Sequence, residues 1–209
     1  AVAFLLTESG KVRSDGDMIF YNHPTEEGGF IIMAAGENVA RGLHVQAFTL
    51  DLDKVPEGIE RVCFCLTLQS GVGGLLYLSQ LSQTALRVLG GPADTELVRA
   101  DFSMGGTQET ALIMGEVYRR KGEWKVKCVA QGFVSGLRAL AESYGVVVAE
   151  AAQAVGQMVP PGETPAPKMP KSAAPSQHFD KPFGGFGEVQ VILNWGAPPA
   201  PAAAAEPPP

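Results

Sequence analysis

Apolar and polar residues alternate with a period of two along much of the chain, most clearly between Glu109 and Phe133. Two apolar runs there, 111–118 and 124–130, flank the charged turn Arg119-Arg120-Lys121-Gly122-Glu123. Trp124, Val126, Cys128 and Ala130 share one face, and Lys125 and Lys127 the other. A strand needs that alternation when one face meets a core and the other meets water. Gly122 can take the positive φ of a tight reversal, so the pattern predicts a β-hairpin.

Short runs of the same kind precede it. Residues 1–6, 18–22 and 30–34 read as strands, separated by Gly, Asp and Pro clusters. Residues 44–52 alternate through Val45, Ala47, Leu50 and Leu52 only if the register slips near Phe48, which predicts a bulge. The run 59–68 is mostly apolar and rich in β-formers, and predicts a central strand covered on both faces. Gly71-Val72-Gly73-Gly74 lacks the Lys-Ser/Thr pair of a phosphate loop and reads as a plain loop. After a helical or irregular entry from Leu75, residues 83–89 and 96–102 predict a second hairpin. Beyond the opening hairpin, Ser135 is placed to cap a short helix over 136–144 that Gly145 ends, and 146–157 can continue as a second, Ala-rich helix. Residues 160–177 turn to Pro, Ala, Lys and Ser and read as a linker. Residues 189–195 alternate again, and a lone strand must pair with something.

Composition narrows the function classes. The 209-residue chain carries a net charge of −6, which argues against broad nucleic-acid binding. Its basic cluster, Arg119 to Lys121 with Lys125 and Lys127, reads as a solvated turn and strand face. Cys63, Cys65 and Cys128 are odd in number and lie in apolar runs, as suits buried thiols in a reducing cytoplasm rather than a disulfide framework. No stretch approaches the about 20 apolar residues of a membrane helix. His23, His44 and His178 form no metal-ligand spacing, and no Ser-His-Asp order or nucleophile elbow stands out. Asp15 and Asp17 sit in a turn that they cap, and Trp124 and Trp195 read as packing residues.

Several stretches resemble the TerD family of tellurium-resistance and stress-response proteins. They are Ala3-Phe4-Leu5-Leu6 with Gly10-Lys11-Val12-Arg13-Ser14-Asp15, then Asp17-Met18-Ile19-Phe20-Tyr21-Asn22 and Leu52-Asp53-Lys54-Val55-Pro56. Glu109-Thr110-Ala111 and Gly115-Glu116-Val117-Tyr118-Arg119 follow, and the densest match is Gly122-Glu123-Trp124-Lys125 with Gln131-Gly132-Phe133 and Gly136-Leu137. The resemblance implies a β-sandwich, a cytoplasmic setting, calcium binding and no established enzymatic activity. It also implies two acidic calcium stretches: one just before the strand at 3–6, the other a loop before the strand containing Val45.

The chain begins at Ala1, so the first acidic stretch lies outside it, and the second is reduced to Gly36-Glu37-Asn38, followed by Val39-Ala40-Arg41-Gly42-Leu43-His44. Calcium takes about six to eight oxygen ligands. Glu37 and the Asn38 carbonyl are too few, and Arg41 opposes a cation. The expected metal residues are Glu37, Asn38, Asp15 and Asp17, as a degenerate calcium site. No cofactor is expected, with calcium the candidate ion. The strand at 187–196 resembles the opening strand of a TerD- or TerA-type domain. It either starts a truncated second domain or fills the vacant place at the N-terminus, in the same chain or a neighbouring one.

The expectation is a mainly β chain: a two-sheet β-sandwich with a few short helices over 1–158, a linker over 159–182, the strand segment 183–196 and a Pro/Ala tail over 197–209. Its expected role is a non-enzymatic stress-response interaction or scaffold module with weakened or lost calcium binding. Expected partners are proteins of a stress-response complex, or further copies joined by strand exchange, with no nucleic acid and no membrane span. Retained calcium binding, and metalloid or redox handling by the three cysteines, are the alternatives.

Overall fold

The computed structural model of the chain describes residues 1–39, 43–68, 77–91, 94–147, 181–182 and 187–196. The second predicted helix (but for Val146 and Val147), the linker proper and the Pro/Ala tail lie outside these residues.

Two antiparallel sheets account for most of the described chain. The first contains β1 (Val2–Leu6), β2 (Met18–Ile19), β6 (Arg61–Thr67), β9 (Ala111–Arg120), β10 (Glu123–Phe133) and β11 (Lys181–Pro182), in the order β11-β10-β9-β6-β1-β2. The second runs β3 (Ile31–Met33), β5 (Leu43–Asp51), β12 (Glu188–Gly196), β7 (Ser82–Gly90), β8 (Thr95–Phe102), with β4 (Glu37–Val39) also paired to β5. Among the described residues the helices are α1 (Gly136–Ser143) and two 3-10 turns, so the mainly β, two-sheet expectation is met.

The inner faces of the sheets meet in one core. Ala3, Leu5, Phe64, Leu112 and Met114 come from the first sheet, and Phe48, Leu50, Val88 and Val191 from the second. Phe48 and Phe64 bridge the sheets edge to face, with ring centroids 5.3 Å apart. A second apolar layer lies on the outer face of the first sheet, where Val2, Phe4, Leu6, Cys63, Cys65 and Ile113 pack against Leu140 and Ala141 of α1. This is why β6 is apolar without alternation: both of its faces are covered.

Local chemistry explains the boundaries. The β9–β10 reversal uses Lys121 and Gly122, with φ of 55° and 79°, the two positive values that a tight hairpin turn matched to strand twist demands. The alternation predicted through Ala130 stops early, because a bulge between Cys128 and Gln131 puts Ala130 at φ 54°. Conversely, β5 has no slip at Phe48 and pairs in continuous register with β12 from Leu43 to Asp51. The inward face runs through Gln46, Phe48 and Leu50 instead of Val45 and Ala47, and the buried Gln46 is satisfied by donating to the Ala34 carbonyl. Ser135 makes no side-chain cap on α1. The C-terminal end is firmer: Gly145 at φ 89° lets Gly145 N–H reach Glu142 O (2.9 Å) and Val146 N–H reach Ala141 O (3.0 Å), a Schellman ending.

β12 lies in the interior of the second sheet. It pairs along nine residues with β5 and from Val189 to Gly196 with β7, antiparallel to both. Val189, Val191 and Leu193 enter the core at 1%, 0% and 0% exposure, while Gln190, Ile192 and Asn194 face outward. Leu193→Ala should therefore cost about 2–5 kcal/mol in urea unfolding, as for a leucine of a packed core. Gln190→Ala on the opposite face of the same strand should change stability by no more than about 0.5 kcal/mol. Equal, small effects at both positions would show that β12 is only loosely appended.

Candidate functional site

The residues expected to hold a metal fall on two elements in different sheets. Asp15 and Asp17 form the 3-10 turn leading into β2 of the first sheet, and Glu37 and Asn38 lie on β4 beside β5 of the second. The turn forms because Asp17 N–H donates back to Ser14 O at 3.0 Å, which brings the Asp17 carboxylate under Arg13. Arg13 donates to that carboxylate from its backbone N–H (2.7 Å), from Nε (2.9 Å) and from Nη2 (2.6 Å). Both carboxylate oxygens are thus committed to one bidentate partner, and Asp17 is 2% exposed. Asp15 accepts the Val147 N–H at 3.1 Å and so anchors the chain leaving α1. Lys11 Nζ, in the same loop, donates to Ser143 O at 2.6 Å. Asp15 and Lys11 therefore staple the 10–17 loop onto the end of α1, while Asp17 braces the loop internally through Arg13. The side chains of Glu37 and Asn38 lie outside what the structure describes. Among the described residues, no group of three or more His, Cys, Asp or Glu side chains is arranged to hold a metal ion.

The thiols form a second cluster. Cys63 and Cys65 are alternate residues of β6, so both side chains point to the outer layer beneath α1, with sulfurs 3.9 Å apart. Cys63 Sγ lies 3.1 Å from Tyr144 Oη, and both thiols are fully buried. Burial pushes the Cys65 thiol well above its ordinary range, with the neighbouring Cys63 and Glu116 adding to the rise. Burial, followed by the two thiols, does the same to the Tyr144 phenol. Cys128, half-buried on β10, is also raised by burial. Such groups stay protonated at neutral pH, the opposite of what nucleophilic or thiolate chemistry requires.

Sequence reasoning did not single out Glu116. It sits in the apolar run of β9 opposite Cys63, at 6% exposure, and pairs with Lys127 Nζ (3.0 Å) and, at longer range, Arg61 Nε (3.5 Å). Its signal was a carboxylate inside an otherwise apolar strand, which must be paired when buried. Lys127 also lies over the Tyr118 ring, 5.6 Å from its centroid, and Arg119 over Trp124 at 4.7 Å. The basic cluster is in part an internal network of the hairpin.

A third arrangement lies where β12 ends. Asn194 Nδ2 donates to Gln83 O at 2.7 Å, and Trp195 stacks on His44 with centroids 5.7 Å apart and planes 15° apart. At Gly196 an added Cβ would collide with Ser82 Oγ and stand 3.0 Å from its carbonyl oxygen, so any side chain there would force Ser82 to shift. Three consecutive residues, Asn-Trp-Gly, thus make specific contacts with β5 and β7.

Comparisons with known proteins place the chain in a family. The TerD domain model matches residues 1–144. The tellurium resistance protein TerD of Serratia marcescens is 33% identical over 147 residues, covering 70% of this chain and 77% of that protein. General stress protein 16U of Bacillus subtilis (strain 168) is 33% identical over 147 residues, covering 69% of this chain and 76% of that protein. The tellurium resistance protein TerA of an Alcaligenes species is 36% identical over 185 residues. That match takes in 85% of this chain, more than the TerD domain segment alone, but the chain spans only half the length of TerA. With the domain model matching most of its length, the chain belongs to the TerD family.

Proposed function

We propose that the chain is a stress-resistance protein of the TerD type that works by binding partner proteins rather than by catalysis, and that its calcium binding is weak or lost. Relatives named for tellurium resistance and general stress support the stress-resistance role. The observation that carries the weak or lost calcium binding is the Arg13–Asp17 pair, which consumes both carboxylate oxygens of one of the expected calcium ligands. Asp15 is likewise engaged, by the Val147 amide. Arg41, in the sequence that follows Glu37 and Asn38, adds a positive charge where the resemblance implies an acidic run. A role in the reducing cytoplasm suits a chain whose cysteines are free thiols. No described helix is long and apolar enough to cross a membrane.

The test is a thermal melt in millimolar calcium and in chelator. The midpoints should agree to within about 1 °C, because a ligand raises Tm only by binding the folded state. Saturation at about 100 times Kd would add about 2.7 kcal/mol, a shift of several degrees. A rise of that size with calcium would restore the calcium-binding reading.

The geometry also bears on a thiol-based reading. Thiol titration of the native chain at neutral pH should leave Cys63 and Cys65 unreacted for as long as the fold persists, with all three cysteines reacting on unfolding. Rapid native modification of Cys63 or Cys65 would favour metalloid or redox chemistry. So would a loss of tellurite tolerance in cells expressing the Cys63→Ser, Cys65→Ser, Cys128→Ser chain in place of the unmodified one.

A further inference from the structure

In the second sheet, β5 and β7 face each other only across β12. Removing that strand leaves two parted edges, one on β5 and one on β7, each with unpaired N–H and C=O groups, over a core lacking three apolar side chains. Open edges of this kind accept a strand from whatever source presents one. The groove is selective. It takes apolar residues at alternate positions, where Val189, Val191 and Leu193 are buried. It then reads an amide donor toward Gln83 O, an aromatic ring against His44 and a glycine beside Ser82.

The strand that meets all of these conditions is separated from Val147, the preceding described residue of the main body, by a long stretch of chain. Residues 148–186 intervene, apart from the two-residue β11. The ladders formed are the same whether the strand comes from its own chain or from another, so chain connectivity alone sets the preference. A covalent tether raises the local concentration of the chain's own strand, less so as the tether lengthens.

We propose that the groove between β5 and β7 is a strand-docking site, and that the partner it takes is strand 188–196 of a second copy of this chain. The inference gives the binding role proposed above a surface and a partner, and rests on that reading only for its biological sense. In dilute solution a chain's own strand fills the groove. Where chains are concentrated, or reopen together under unfolding stress, strands exchange. Reciprocal exchange closes a dimer, and successive exchange builds an open assembly.

Two experiments decide this, neither involving calcium or tellurite, so their failure would leave the stress-protein reading standing. In the first, the full chain carrying Val191→Asp and Leu193→Asp, whose own strand cannot seat, is titrated with a labelled synthetic peptide of residues 187–196. Saturable binding is expected, with Tm rising by several degrees once the peptide exceeds its dissociation constant by about 100-fold. The same peptide with Gly196→Val should bind at least about tenfold more weakly, as befits a position without room for a side chain. No binding, or equal binding by both peptides, overturns the proposal.

The second uses the unmodified chain and so does not depend on the double variant folding. Two differently tagged samples are unfolded together, refolded at millimolar concentration and diluted. Dimers carrying both tags should appear, and a limiting dilution followed by a second unfolding should return monomers. Monomers alone after concentrated refolding overturn it.

Discussion

Hydrogen bonds from β12 join the two halves of the second sheet. Along the ladder, β3–β5 lies on one side and β7–β8 on the other, with β12 between them. The strand satisfies backbone groups on both flanks and places Val189, Val191 and Leu193 opposite the first sheet. Apolar burial supplies the driving force, at about 25 cal/mol per Å². The ladders supply direction, because an unpaired buried amide costs more than a made hydrogen bond returns. The two effects coincide on one segment of nine residues. The Phe48–Phe64 contact depends on it as well, since Phe48 is held on β5 opposite Val191 of β12.

Much of the sandwich was legible in the sequence where a single local rule decides. Lys121-Gly122 between two apolar runs marks a hairpin because few residues tolerate positive φ. The unbroken apolar run of β6 marks a strand covered on both faces because nothing polar is tolerated on either. The misses occur where one interaction replaces another. Val45 and Ala47 look like the inward face of β5, but Gln46 takes that face because the Ala34 carbonyl is there to receive its amide. Ser135 has the side chain of a helix cap, but α1 does without that bond and is secured at its other end by Gly145. The pattern of 188–196 announces a strand, while its neighbours, β5 and β7, lie roughly a hundred residues or more away in the chain and leave no mark in local periodicity.

The candidate site shows the same division. Asp15 and Asp17 were readable as turn residues, and the turn is there. What the sequence could not show is where their charge goes. Arg13 is four residues from Asp17 and meets it by local geometry, but Val147 reaches Asp15 only because the outer layer folds α1 back over the first sheet. Carboxylates that resemble ligands in one dimension are fasteners in three. The cysteines follow a related logic: their alternation on β6 sends both to one face, and α1 with Tyr144 makes that face an apolar interior.

The central place of β12 also governs how the molecule is made. A ribosome delivers β5 and β7 long before residues 188–196 emerge, so the nascent chain carries two unsatisfied sheet edges through the synthesis of roughly a hundred residues, at about 5–20 residues per second. Pairing across so great a sequence separation is slow to nucleate. During those seconds the incomplete second sheet is the part of the molecule most in need of protection by chaperones, and neighbouring ribosomes on one message would hold several such sheets close together.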